Sequence, residues 1–241
     1  IALRKQGIHG EILILGYTDI ARIHQLVHYD LMQTVVDYDY AEKLSGCKCR
    51  VSVHIKVDTG MHRLGLTAEE PDKIAKVFRL PYLRICGIFT HLCISDSLDP
   101  KAVTYTKGQI NKFYAVLKNI TDRGLTLPKL HIQSSYGLLN YPELHCDYAR
   151  IGIALYGSLS APGDRTRLCP ELWPVLSLKA RVALVREVKE GEGVGYGRDF
   201  TVEKNSRIAI LPIGYADGLP RSLSYGKGSV LIGSIAILLF F

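Results

Sequence analysis

The chain has 241 residues, of which 47% are hydrophobic and 22% are charged. This length allows one large domain or two smaller ones, and the composition excludes a disordered or fibrous protein. The formal net charge is +7, but lysine and arginine are spread along the chain, so a nucleic-acid partner is not expected. The six cysteines form no CxxC pair and no zinc pattern, which predicts reduced thiols, a cytoplasmic location and no metal site.

The first 153 residues alternate short apolar runs with helical patterns. Thr67-Ala-Glu-Glu70 resembles a capping box and predicts a helix start. Residues Thr106 to Asp122 carry apolar side chains at helical spacing, and Gly124 is a natural C-cap. The predicted strands are Glu11–Gly16, Gln33–Asp37, Val51–Val57, Arg84–Thr90, Lys129–Gln133 and Tyr148–Ile153.

Strands separated by helices predict an α/β fold with a parallel sheet. We count about six of the eight strand–helix units of a closed (β/α)8 barrel of the TIM type, and expect two further units before residue 1. A flavodoxin-like open sheet is the structural alternative. This barrel segment is assigned to residues 1–160.

The pattern changes after about Pro170. Val175–Val188 alternates apolar and polar residues, and glycines then punctuate short apolar runs without helical periodicity. We predict a linker over residues 161–174 and a β-rich C-terminal domain over 175–241. The apolar end from Ile232 to Phe241 is shorter than the ~20 residues of a membrane span, and we expect truncation at both ends.

Charged and polar residues follow the third predicted strand. In that strand the apolar residues Val51, Val53, Ile55 and Val57 alternate with polar ones, and the following turn contains charged and hydroxyl side chains. Active sites of α/β barrels lie at the carboxyl ends of their strands. The candidates here are Lys56, Asp58, Thr59 and Arg63, although a surface ion-pair cluster would give the same pattern.

Three further strand ends carry candidate residues. His91 follows the fourth predicted strand; taken by itself, such a histidine is more often structural. Ser134 and Ser135 follow the fifth, where hydroxyl and backbone N–H groups could bind an anion, or where one serine could simply cap a helix. Arg150 lies inside an apolar run, where a charge is costly unless it is paired, so it is a strong site candidate.

Lys56-Val-Asp-Thr-Gly-Met61 resembles the lysine-aspartate-threonine-glycine-methionine signature of alanine racemases, enzymes that use pyridoxal phosphate (PLP). Pro212–Arg221 resembles a second signature of that family, and Val194-Gly-Tyr-Gly197 a third. Five separated motifs occur in the family's order, and the resemblance runs from about residue 1 to 233.

The resemblance implies roles for the barrel residues. Arg63 would contact the PLP phenolic oxygen or the substrate carboxylate, and Lys56 would be carbamylated to hold it. His91 would support the cofactor ring, and Arg150 would face the pyridine nitrogen. Phosphate would be bound by Ser135 and by the backbone N–H groups of Gly152 and Ile153. Ser134 stands where the family has asparagine, which puts part of the cofactor or substrate surroundings in doubt.

The resemblance also implies roles in the second domain. Tyr196 would be the second catalytic base and would act in the active site of the partner subunit of a homodimer. Tyr215 would contact the carboxylate of a small amino-acid substrate, and Arg221 would lie in the outer part of the pocket.

Besides Ser134, the chain departs from the family by lacking three elements. No segment resembles the one that carries the PLP Schiff-base lysine, and a methionine-aspartate loop and a phosphate-binding tyrosine also have no counterpart. We therefore expect the fragment itself to be inactive.

Several segments, among them Gly87–His91 and Asp147–Arg150, look like the serine/alanine racemases of vancomycin-resistance clusters, which carry a membrane domain before the racemase domain. An ordinary biosynthetic alanine racemase is the near alternative, and the sequence does not decide between alanine and serine. A non-catalytic PLP-binding carrier and a metal-dependent barrel hydrolase remain as rivals.

Overall fold

The computed structural model describes residues 1–161, 163–224 and 226–239. These residues fall into two compact units, Ile1–Val175 and Leu176–Phe241. The sequence-based domain limits, at residues 160 and 175, stay a prediction. Pro162 of the predicted linker and Phe240 and Phe241 of the apolar end lie outside the described residues.

The first unit is built on a parallel sheet. Its strands are β1 Leu13–Ile14, β2 Met32–Val35, β3 Val51–Asp58, β4 Leu66–Thr67, β5 Leu83–Phe89 and β6 Lys129–His131. The order is β1-β2-β3-β5-β6, and the short β4 pairs with the end of β3. Neighbours in the sheet follow chain order, as in a singly wound barrel, whereas a doubly wound sheet reverses direction at a switch point. The predicted partial barrel is thus confirmed.

Helices precede, connect or follow these strands. They are α1 Ala2–Lys5, α2 Ile23–His28, α3 Tyr38–Gly46, α4 Pro71–Val77, α5 Pro100–Asp122 and α6 Ser135–Asn140. The predicted end of α5 is confirmed, because Gly124 has φ 74° and its N–H donates to the Thr121 carbonyl at 2.9 Å. Within the described residues, no helix has the length and apolar character to cross a bilayer.

Two helix starts differ from prediction. The residue before α4 is Glu70, whose side chain makes no capping bond, and Pro71 opens the helix with its preset φ. Thr67 lies three residues before Glu70 and pairs with Asp58 as part of β4, and its hydroxyl donates to Glu69 instead of capping the helix. Helix α5 begins at Pro100 rather than Thr106, again with proline in the first turn.

The prediction of a sixth strand over Tyr148–Ile153 is wrong. Its pairing is reduced to one parallel bridge between Ser134 and Arg150. The N–H groups of Asp147 and Tyr148 both donate to the Leu130 carbonyl, which breaks a regular ladder. The chain then turns into a short 3₁₀ segment, Ile153–Tyr156.

Alternation along β3 divides the core from the site. Val53, Ile55 and Val57 join the apolar cluster. Because side chains of a strand point to opposite faces in turn, His54 and Lys56 lie on the other face, and both are buried. The alternation in the sequence therefore places two polar side chains on the face of the sheet opposite the apolar core.

The second unit is β-rich, as predicted. It contains antiparallel pairs of β7 Leu184–Val188 with β10 Ser206–Ile210, β8 Gly193–Val194 with β9 Phe200–Thr201, and β11 Ser229–Ile232 with β12 Ile235–Leu238. Short 3₁₀ segments cover Tyr196–Arg198, Tyr215–Asp217 and Arg221–Leu223.

Candidate active site

A cavity of about 410 Å³ lies at the carboxyl end of the parallel sheet. This volume is within the ~300–1,000 Å³ range of small-molecule pockets. Eight residues singled out from the sequence line it together: Lys56, Arg63, His91, Ser134, Ser135, Arg150, Gly152 and Ile153. The remaining lining residues include Leu15, Phe89, Tyr136 and Ser160.

Asp58 and Thr59, also candidates, are turned away from this cavity. The Asp58 carboxylate accepts hydrogen bonds from the N–H groups of Gly60, Met61 and His62 at 3.0, 2.9 and 3.1 Å. Burial raises the pKa of Asp58, but these three bonds outweigh it and leave the pKa below its usual value. Asp58 thus fixes the loop that carries Arg63. Thr59 instead shares a hydrogen bond with Thr90 at 2.8 Å.

Lys56 is buried in the wall of the cavity. None of the residues that the structure describes forms a hydrogen bond or an ion pair with the Lys56 ammonium. Burial lowers the pKa of Lys56, and the nearby Arg63 lowers it further, against a weaker opposing effect of Asp58. The amine is therefore more readily neutral, and more nucleophilic, than a surface lysine.

Arg150 forms the most extensively bonded group in the cavity. Its Nη1 donates to His131 Nδ1 at 2.6 Å. Its Nη2 donates to the Thr90 and Ile132 carbonyls at 2.8 and 3.1 Å, and to His91 Nδ1 at 3.2 Å. The guanidinium also lies 5.0 Å from the centre of the Phe89 ring.

These acceptors are all neutral, and burial lowers the pKa of Arg150 to about 10. Arg150 is paired, as its sequence context predicts. Its hydrogen-bond acceptors are two imidazoles and two backbone carbonyls, and none is a carboxylate. Imidazole and carbonyl acceptors hold the guanidinium in place without cancelling its charge.

The imidazoles around Arg150 are held neutral. Burial first, and the charge of Arg150 second, lower the pKa of His131 to about 3 and of His91 to about 4. His91 therefore lies where the sequence predicted it and bonds the arginine. It acts as an acceptor, since an arginine can only donate.

Ser135, which also lines the cavity, bonds the backbone that follows Arg150. Its Oγ accepts the N–H groups of Gly152 at 2.9 Å and Ala154 at 3.3 Å, which leaves its own O–H free to donate. Ser134 precedes α6 but makes no side-chain capping bond, so the ordinary N-cap interpretation is not supported for it. The Tyr136 hydroxyl accepts the Ser160 N–H at 2.7 Å and donates to Asp164, which holds Ser160 at the cavity rim.

Three predicted site residues belong to the second unit and do not line this cavity. Tyr196 is 87% exposed, between Gly195 and Gly197, which both have positive φ. Tyr215 is 60% exposed and lies in a 3₁₀ segment that Gly218 ends. Arg221 begins the next such segment. Their catalytic roles stay a prediction.

Sequence reasoning missed two histidines of the site. His131 bonds Arg150, and its Nε2 lies 2.8 Å from His54 Nδ1. His131 also stacks on Phe89, with ring centres 4.5 Å apart. The signal was present, because both histidines interrupt apolar strand patterns in β3 and β6 and face away from the apolar core.

Comparisons with known proteins agree with this geometry. A family model described as "Alanine racemase, N-terminal domain" matches residues 1–160, and one described as "Alanine racemase, C-terminal domain" matches residues 175–237. The fold is similar to the crystal structure of alanine racemase from E. faecalis, with 31% identity and a TM-score of 0.85 over 98% of this chain and 63% of that one. It is similarly close to alanine racemase from Bacillus anthracis with bound L-Ala-P, at 29% identity and a TM-score of 0.85, covering 100% of this chain and 62% of that one.

Sequence relatives extend beyond this chain. An amino-acid racemase from Enterococcus faecalis is 49% identical over 97% of this chain and 33% of its own length. A serine/alanine racemase from Enterococcus gallinarum is 42% identical over 93% of this chain and 32% of its own length. An alanine racemase from Clostridium tetani is 39% identical over 96% of this chain and 60% of its own length. The chain thus spans about a third of the first two relatives, and it belongs to the alanine racemase family.

Proposed function

We propose that this chain is part of a PLP-dependent amino-acid racemase, an isomerase that interconverts the L and D forms of alanine, of serine or of both. The supporting observation is the cavity of the first unit. It gathers three basic side chains and the hydroxyls of Ser134 and Ser135 at the sheet edge, and no carboxylate of the described residues lines it.

The residues present fit PLP, which is anionic and planar. The Ser135 hydroxyl, which can still donate, and the backbone N–H of Ile153 would hold the phosphate. The Gly152 N–H, which here donates to Ser135 Oγ, would join them by turning to the phosphate. His91 would lie beside the ring, and Arg150 would face its nitrogen. When bound, PLP supplies an electron-withdrawing ring that acidifies the α C–H of an attached amino acid.

Arg150 restricts which reaction follows. A guanidinium donates hydrogen bonds and holds its protons, so it would leave the ring nitrogen unprotonated. A carboxylate there would favour protonation and a stronger electron sink. The arginine therefore suits plain proton exchange at Cα, with fewer side reactions.

Two bases on opposite faces of the substrate would carry out this exchange. We assign one to Tyr196 Oη, contributed by the partner subunit of a homodimer, and the other to a lysine outside this chain. The high exposure of Tyr196 leaves its hydroxyl accessible to a second subunit. The substrate carboxylate would be bound by Tyr215 and Arg63, with Arg221 farther out.

Lys56 would act after carbamylation. Its lowered pKa favours the neutral amine that reacts with CO₂, and the resulting anion would stabilise Arg63 in place of a repelling charge. The modified lysine would keep Arg63 directed into the cavity.

We further propose that the D-amino acid serves peptidoglycan precursors in the cytoplasm. The resemblance of Gly87–His91 and Asp147–Arg150 suggests the vancomycin-resistance subgroup, with a membrane domain in the longer protein. Support for a longer protein comes from the serine/alanine racemase of Enterococcus gallinarum, of whose length this chain covers 32%.

A non-catalytic PLP carrier is the alternative. It is less well supported, because the second family domain matches residues 175–237 and brings Tyr196 and Tyr215 with it. A metal-dependent hydrolase would need a cluster of metal ligands, and the described residues contain none.

The test uses the full-length protein. Absorbance after PLP addition reports binding, and L-to-D conversion of alanine and serine reports activity. We expect Tyr196→Phe to abolish racemisation while PLP binding persists. The control is Tyr114→Phe, on the exposed side of α5, which should change neither racemisation nor PLP binding. PLP binding without racemisation of either amino acid would support the carrier, and absence of binding would refute both.

A further inference from the structure

A second histidine lies behind the one that bonds Arg150. His54 is 5% exposed and His131 is 2% exposed. Their rings meet at 2.8 Å between His54 Nδ1 and His131 Nε2, and His131 Nδ1 meets Arg150 Nη1 at 2.6 Å. The three side chains form one row from the interior of the barrel wall to the cavity.

The proton positions in this row follow from the arginine. Arg150 can only donate, so His131 Nδ1 must accept. A neutral His131 then carries its proton on Nε2, and this N–H donates to His54 Nδ1. His54 in turn carries its proton on Nε2. Each group in the row thus has a single compatible tautomer.

Gly87 makes room for this arrangement. A Cβ at residue 87 would lie 2.2 Å from His54 Nδ1 and 2.3 Å from its Cε1, closer than non-bonded atoms approach. The backbone of β5 and the ring of His54 therefore occupy adjoining space. Any larger residue at 87 would displace the ring.

We infer that His54 is a positioning residue for the cavity, acting through His131 on Arg150. By accepting the His131 Nε2–H, it fixes the ring whose other nitrogen holds the guanidinium. This inference rests on the proposed function for its catalytic consequence, but the positioning of Arg150 can be measured without it.

The test compares two replacements of His54. Asparagine places an acceptor oxygen near the site of Nδ1, whereas leucine keeps apolar volume and has no acceptor. If His54 served only to fill space, His54→Leu would be the milder change. If it positions Arg150, His54→Asn would be the milder one.

The first readout is hydrogen exchange of the Arg150 Nη–H protons, followed by NMR in the 241-residue chain. We expect a rise of about fivefold in His54→Leu, the size that loss of one hydrogen bond predicts, and little change in His54→Asn. Gly87→Ala should give the same rise as His54→Leu because it displaces the ring without removing it. Gly108→Ala is the control, since a Cβ there meets nothing within 4 Å.

The second readout is kcat of the full-length racemase, which should follow the same order. Faster exchange in His54→Asn than in His54→Leu, or unchanged exchange in both His54→Leu and Gly87→Ala, would overturn the inference. If His54→Leu does not fold, His54→Asn and Gly87→Ala still decide. Racemase failure of the unmodified protein would refute the proposed function and leave the exchange result standing.

Discussion

The buried histidines should make this fold sensitive to mild acid. His54 and His131 have pKa values of about 4 and about 3 in the folded chain, lowered first by burial. In the unfolded chain a histidine has a pKa of ~6.5. The unfolded state therefore takes up protons first, and stability is lost as the pH falls from about 6.5 toward about 4.

The size of the effect follows from the pKa differences. His91, whose pKa is likewise lowered to about 4, is a third such group. Between pH 7.5 and 5.5 each of the three histidines should remove about 1.3 kcal/mol, so together they remove about 4 kcal/mol. That is a large part of the ~5–15 kcal/mol that stabilises a typical domain. Carboxylates with lowered pKa, such as Asp58, lose their contribution only at lower pH.

Urea unfolding followed by circular dichroism at pH 7.5, 6.5 and 5.5 measures this loss. His54→Asn removes one of the three titrating rings, so its pH dependence over that range should be about two-thirds as steep. His24→Asn, on the exposed side of α2, serves as the control. Equal slopes for the unmodified chain and His54→Asn, or stability independent of pH in this range, would refute the reasoning.

Three other outcomes are expected. Gly65→Ala should destabilise the chain by about 1–3 kcal/mol, because Gly65 has φ 118° and a Cβ there would lie 2.9 Å from Asp58 N. Gly108→Ala, in α5, should instead stabilise the chain by about 0.5–1 kcal/mol. Urea titration of the two variants compares these free energies of unfolding. Phe113→Ala should cost about 3–5 kcal/mol, since this ring is fully buried in the core; a cost below 1 kcal/mol would contradict the packing. Intact-mass measurement in bicarbonate should show one added CO₂ on the chain, lost in Lys56→Arg; an unmodified mass throughout would exclude carbamylation.

The fold was predictable where one local signal dominates. The alternation of β3 and the glycine after α5 each depend on neighbouring residues alone, and both predictions held. Tyr148–Ile153 reads as a strand but forms one bridge, because a ladder also requires a regular partner. The start of α4 was misjudged because pairing of Thr67 with β3 is a long-range contact that sequence spacing does not report.

The sequence predicted that eight candidates of the first unit lie close together, but not how their side chains bond. Eight candidates line one cavity because parallel strands bring their carboxyl ends together. Which way each side chain turns depends on local geometry, and Asp58 illustrates this by bonding its own loop. The polar interruptions of β3 and β6 mark His54 and His131 in the sequence, but their bond to each other joins residues 77 apart and has no local pattern.

The commitment of Asp58 to its loop has a kinetic consequence. With that carboxylate turned away, Lys56, Arg63 and Arg150 give the cavity an unbalanced positive potential before any modification. Such a potential draws anions from solution and speeds their encounter with the cavity, and added salt screens it over about 10 Å at 0.1 M. Association of an anionic ligand should therefore slow as ionic strength rises, while neutral molecules of the same size enter at an unchanged rate. The loop that shapes the cavity thus also selects, by charge, what reaches it first.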